Sequence, residues 1–199
     1  MEKAKVMQFL DFLVSLAPEG ETPLMVRQKP QLKDNALQYH ADGAIKCTWP
    51  AYLPNVDKIK DDQAWYGNTA SFIIDRFTEG KVSASATNCE FCLVLVLDDV
   101  GTKSKQPPLP PTWIMETSPG SFQWGYAFTE EQPTKGEFSA AIKAIADAGY
   151  NPTRLDVKPN PDNAWFQPNL NGKKEILLPG DKENAYNEKS SEIYRDMFR

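Results

Sequence analysis

The sequence predicts an α+β fold, and three patterns predict it. Apolar residues recur at helical spacing over residues 2–16 and again from Thr134 or Lys135 to about Ala148. Residues 90–97 form a nearly unbroken apolar run, and Phe122, Trp124, Tyr126 and Phe128 alternate with period two.

The first helix is marked by Val6, Phe9, Leu10, Leu13 and Leu16, and Pro18 and Gly20 stop it. The turn-rich stretch from Pro23 to Asn35 holds a short strand at Met25-Val26. Residues 44–49 read as a strand that Pro50 ends, and the Pro-, Asn- and Asp-rich residues 50–62 read as loop. The segment Trp65 to Phe77 fits helix or strand and is read as a strand around 70–76, before the turn at Gly80-Lys81.

The run Glu90-Phe91-Cys92-Leu93-Val94-Leu95-Val96-Leu97 is the strongest strand signal, and its continuity predicts a central strand covered on both faces. It ends in Asp98-Asp99. Residues 101–111 form a loop with Lys103, Lys105 and prolines at 107, 108, 110 and 111. A hairpin follows: Trp113–Thr117 as one strand, Ser118-Pro119-Gly120-Ser121 as the turn, Phe122–Phe128 as the return. Phe138, Ala141, Ile142 and Ile145 give the next helix its apolar face, and Gly149 caps it. Residues 151–185 are rich in Asn, Pro, Lys and Asp around Ile176-Leu177-Leu178, and residues 186–198 read as a polar terminal helix.

The 199 residues suit a single domain. Residues 1–80 supply an N-terminal helix-and-strand part, 81–150 the core that carries the motifs, and 151–199 a C-terminal part of weaker pattern. An apolar share of 41% with 25% charged residues is ordinary globular composition. The net charge of −5 lowers the expectation of a simple DNA-coating module. No segment has the ~18 apolar residues needed to span a bilayer, and Gln8 and Asp11 interrupt the first apolar run, unlike a signal peptide. The expectation is a soluble protein of the cytoplasm with no membrane partner. Three cysteines, at 47, 89 and 92, argue against a disulfide framework. Cys89 and Cys92 form a C-x-x-C with no second pair, so two small residues at a strand edge is preferred over zinc or redox chemistry. His40 is the sole histidine, lies in a polar stretch and is expected to be exposed.

A strand ending in two carboxylates is the informative constellation. Hard divalent cations take oxygen ligands, and one or two carboxylates plus phosphate oxygens complete their shell. The alternative is an acidic turn before Gly101, since Asp is a common turn residue.

The order of strand, Asp98-Asp99-Val100-Gly101, loop and Trp113-Ile114-Met115-Glu116-Thr117-Ser118-Pro119-Gly120-Ser121-Phe122-Gln123-Trp124 resembles plasmid and phage replication primases of the archaeo-eukaryotic primase superfamily. The resemblance covers residues 90 to about 150. It implies an RRM-like antiparallel sheet core with flanking helices, the primase catalytic domain, and a nucleotidyl transferase that makes or extends primers. Asp98 and Asp99 match its first motif and would bind catalytic Mg2+ or Mn2+. Thr117, Ser118, Pro119, Gly120, Ser121 and Gln123 match its second, and Ser118, Gly120, Ser121 and Gln123 would contact the triphosphate. Its third motif is matched weakly: Asn151 stands where an acid is expected, Asp156 is the candidate third carboxylate and metal ligand, and Arg154 and Lys158 are candidate phosphate contacts. Implied partners are nucleoside triphosphates, a single-stranded DNA template and a replicative helicase. Two other readings stand beside it. One is a non-catalytic module that binds single-stranded nucleic acid or protein through exposed Trp49, Trp65 and Trp165. The other is a metal-dependent nuclease using the same acids.

Overall fold

The computed structural model describes residues 3–60, 63–80, 84–85, 87–128, 131–150, 166–169 and 176–177. Its elements run α1 (Lys3–Ser15), β1 (Glu21–Thr22), β2 (Met25–Arg27), β3 (Lys29–Pro30), β4 (Leu32–Lys33), β5 (Ala36–Leu37), β6 (Cys47–Thr48) and β7 (Ala51–Tyr52). They continue with β8 (Trp65–Asn68), β9 (Phe72–Ile73), α2 (Ile74–Thr78), β10 (Val94–Val100), β11 (Trp113–Ser118), β12 (Ser121–Ala127), α3 (Lys135–Asp147), β13 (Phe166–Asn169) and β14 (Ile176–Leu177). The mixture of helices and small antiparallel sheets is α+β, as expected.

Two four-stranded sheets organise the described residues, in the orders β10-β12-β11-β14 and β13-β8-β2-β7. The first is sandwiched. On one face α1 buries Val6, Phe9, Leu10 and Leu13 against Val94, Val96, Trp113 and Met115. Phe9 meets the Trp113 ring edge-to-face, with centroids 5.2 Å apart. On the other face Leu97, Val100 and Tyr126 pack with Phe122, Trp124 and Ile145 of α3. Thr134 caps α3: its hydroxyl accepts from Glu137 N–H while the Glu137 carboxylate accepts from the Thr134 backbone. This box sets where the helix begins.

Among the described residues the run at 90–97 does not form a central strand. It becomes β10, which begins at Val94, runs through both acids to Val100, and among those residues stands at the edge of its sheet. Its apolar continuity reflects cover on both faces by side chains, with Val94 and Val96 turned to α1 and Leu97 to α3, rather than strand pairing on both sides. The expected strand at 70–76 is also corrected. Asn68 Oδ1 accepts the Ala70 N–H at 2.7 Å, an Asx turn that breaks the chain between β8 and β9, and α2 starts at Ile74. The stretch expected as loop at 50–62 contains β7 and a 3-10 turn at Val56–Lys58, capped by Asn55. The strand expected at 44–49 shrinks to Cys47–Thr48. The terminal helix expected at 186–198 lies outside the described residues.

Trp65, expected as an exposed binding aromatic, is 2% exposed in the α1 core, and Trp49 is half-buried against Tyr66. Both carry packing, Trp65 in the cluster under α1 and Trp49 against the cluster that holds Val26 and Phe72. Trp165 lies outside the described residues. Cys89 and Cys92 are buried inside an apolar cluster, and the Cys89 thiol donates to the Phe91 carbonyl at 3.5 Å. His40 is exposed, as expected.

Candidate active site

Asp98 and Asp99 form a β-bulge. Leu97 pairs with Trp124 and Val100 with Phe122, so two residues of β10 stand opposite the single Gln123 of β12. In a regular strand, residues three apart face opposite ways. Leu97 and Val100 nevertheless pack in one cluster, with Tyr126. The bulge absorbs the additional residue, and both acids emerge on the other face, the one that carries Ser121 and Gln123. Asp99 completes the bend with φ 57°, a left-handed conformation that Asp tolerates better than most residues.

The turn after the bulge is tied to Asp99. Its carbonyl accepts from the N–H groups of Thr102, Lys103 and Ser104 at 3.1, 3.0 and 3.0 Å. Gly101 has φ 90°, and a Cβ there would lie 3.0 Å from the Gly120 carbonyl, so the turn and the hairpin tip touch backbone to backbone.

The carboxylates are held unequally. Asp98 Oδ1 accepts the Asp99 N–H at 3.0 Å. Asp99 Oδ1 accepts from Ser121 Oγ at 3.3 Å, and Asp99 Oδ2 pairs with Lys103 Nζ at 3.0 Å. Thr102 Oγ1 lies 3.2 Å from Ser121 Oγ and joins the chain of hydroxyls. The acid pair and the hairpin turn, apart in sequence, therefore share one hydrogen-bonded surface.

At the tip, Pro119 and Gly120 (φ 74°) form the two-residue connection, and Ser118 pairs in register with Ser121. The Gly120 N–H donates to Glu116 Oε1 at 2.9 Å, so a carboxylate oxygen occupies the donor of that turn. Ser121 and Gln123 are buried. Their neighbours Phe122 and Trp124 point to the α3 face and are half-buried. Gly125 has no side chain because Trp113 fills its place: a Cβ would lie 1.8 Å from the indole.

Of the residues singled out in sequence, the structure brings Asp98, Asp99, Ser121 and Gln123 together and sets Ser118 and Gly120 at the adjoining tip. Asp156, Arg154 and Lys158 lie outside the described residues. Among the described residues no group of three or more His, Cys, Asp or Glu is arranged to hold a metal ion. Sequence reasoning missed Lys103, Thr102 and Glu116. The signal for Lys103 was its position four residues after Asp99, a spacing that meets only if the chain turns at once. Lys105, grouped with it in the loop, instead reaches the last turn of α3, with Nζ 3.4 Å from the Ala148 carbonyl.

No protein-family model and no curated protein matches the chain. Among solved structures it is similar to the AEP domain of the cyanophage S-2L primase-polymerase (PrimPol), at 10% identity and a TM-score of 0.49, over 88% of this chain and 89% of that one.

Proposed function

We propose that this chain is a metal-dependent nucleotidyl transferase that makes or extends primers on a single-stranded DNA template, in phage or plasmid replication. The observation that carries the reading is the bulge. It turns two consecutive carboxylates to one face of a sheet and hydrogen-bonds one of them to Ser121, within the Thr117–Gln123 segment that the primase resemblance assigns to the incoming nucleotide. The four-stranded antiparallel sheet would then be the RRM-like core that the motifs imply.

The donor set fits Mg2+ or Mn2+ as two hard oxygen ligands that need phosphate oxygens to complete the shell. Asp98 and Asp99 would hold the ion, with Asp156 as the third carboxylate of the proposal. When bound, the ion would neutralise charge on the triphosphate and favour the attacking hydroxyl. The chain's own residues orient the parts. Ser121 fixes the Asp99 carboxylate, and Lys103 balances its charge. Ser118, Gly120, Ser121 and Gln123 would line the triphosphate path, Gly120 by exchanging its Glu116 contact for a phosphate oxygen. Arg154 and Lys158 are the proposed cationic contacts.

The test is primer synthesis on single-stranded DNA with labelled nucleotides and Mn2+. Labelled product that grows in the wild type, and is lost in Asp98→Ala and Asp99→Ala with the circular dichroism spectrum intact, supports the assignment. Strand shortening would mean a nuclease. Unaltered DNA binding with no product in any protein would mean a binding module.

A further inference from the structure

The turn after the bulge delivers a cation to Asp99. The N–H groups of Thr102, Lys103 and Ser104 all donate to the Asp99 carbonyl, at 3.1, 3.0 and 3.0 Å, and Val100 bridges Ser104. These backbone contacts hold the turn whether or not the Lys103 side chain is engaged. They set Lys103 four residues after Asp99 on a chain that has turned at once, and its ammonium donates to Asp99 Oδ2 at 3.0 Å.

The two oxygens of that carboxylate are held differently. Ser121, itself buried, donates to Oδ1. Lys103 holds Oδ2 from the solvent side, with its own side chain 79% exposed. The Asp99 side chain is 25% exposed, against 65% for Asp147 in the pair that Lys143 makes on α3. A carboxylate withdrawn that far from water needs positive charge or donors beside it. Lysine supplies the charge loosely, as a point charge on a flexible stem. A pair with so exposed a partner is screened by solvent and gains little from being made.

Oδ2 is also the oxygen left for a divalent cation, because Oδ1 already accepts from Ser121. An ammonium at Oδ2 and a metal ion at the same oxygen repel each other. The ion carries twice the charge and bonds oxygen directly, so the lysine is the partner that leaves.

We propose that Lys103 is the resting counter-ion of Asp99 and yields its place when a divalent cation binds. The inference rests on the metal-dependent function proposed for this chain and adds a regulating residue to that site. Lys103 keeps the partly buried carboxylate neutralised in the resting protein, and it raises the metal concentration needed to fill the site.

The experiment titrates the full chain with Mn2+ alone, reading free Mn2+ by electron paramagnetic resonance, with Asp99→Asn as the background. Lys103→Met removes the competing charge and should bind Mn2+ about threefold more tightly than the wild type. The gain should vanish when Asp99→Asn is added. Lys103→Arg keeps a cation and should bind no more tightly than the wild type. Lys105→Met controls for the loss of one positive charge from the same loop, since its ammonium faces the Ala148 carbonyl, and should leave the affinity as it is. Asp99-dependent binding that Lys103→Met leaves unchanged or weakens overturns this inference alone. So does a gain that Lys103→Arg or Lys105→Met reproduces. Asp99-dependent binding in neither the wild type nor Lys103→Met overturns the metal-dependent reading and this inference with it. Tightening in Lys103→Met with no nucleotide incorporation in any protein supports the inference and removes the enzymatic reading alone.

Discussion

Ser121 Oγ donates to Asp99 Oδ1 across 22 residues of sequence, at 3.3 Å. That contact joins the end of β10 to the tip of the β11–β12 hairpin, and the chemistry proposed for this chain depends on the junction.

Asp99→Asn keeps the left-handed backbone, which Asn also accepts, and keeps an oxygen for Ser121 to donate to. It removes the charge that Lys103 balances. Nucleotide incorporation should fall by about a hundredfold or more, while the thermal midpoint stays near that of the wild type. Parallel activity assays and melting curves check this. A large loss of stability would show that Asp99 holds the fold rather than the chemistry.

Gly125→Ala should be the most damaging small substitution in the sheet. The added methyl would enter the Trp113 indole, itself fixed by Phe9 of α1, so strand and helix must both shift. Overpacking of this kind costs about 1–3 kcal/mol, and more where the neighbour cannot give. Gly101→Ala is expected to cost about 1–2 kcal/mol from its left-handed φ, with the crowding at the Gly120 carbonyl added. Urea denaturation of both variants gives the ranking.

Glu137 gives the molecule an acid-sensitive helix start. The Thr134 hydroxyl first, and the Thr134 backbone N–H second, hold its carboxyl below the ordinary value of 4.5. A depressed folded-state pKa contributes stability that is fully present above the unfolded value and is lost as pH falls through the folded one. Glu137→Gln should therefore show a shallower loss of stability than the wild type as pH drops from about 5 through the acid range. Melting temperatures against pH for the two proteins decide it.

Burial raises the Cys92 thiol, with the neighbouring Cys89 adding to the effect, and a thiol that stays protonated is a poor nucleophile. Alkylation of the native protein near pH 8 should label the partly exposed Cys47 first, and Cys89 and Cys92 only after denaturant is added. Rapid native labelling at Cys89 or Cys92 would revive a redox role for the C-x-x-C.

The helices were legible because their signals are local. Helical spacing marked Phe138 and Ile142, the very residues that α3 buries, and the start read at Thr134 or Lys135 is where the helix begins. The hairpin was legible for the same reason: Pro119-Gly120 specifies a tight turn, and strand alternation follows on either side. The edge position of β10 was not legible. An apolar run records that both faces are covered, and it carries no record of which strands, if any, lie alongside. Trp49 and Trp65 were misjudged for a related reason, since an indole reads alike whether it fills a core or faces solvent.

By itself the sequence determined the α+β composition, the hairpin, the two long helices and the presence of adjacent acids at the end of an apolar strand. Only the tertiary structure decided that those acids share a face. Consecutive residues of a regular strand point opposite ways, and it takes the register between β10 and β12, a pairing of distant segments, to place two residues against one and bring the Asp99 carboxylate to Ser121.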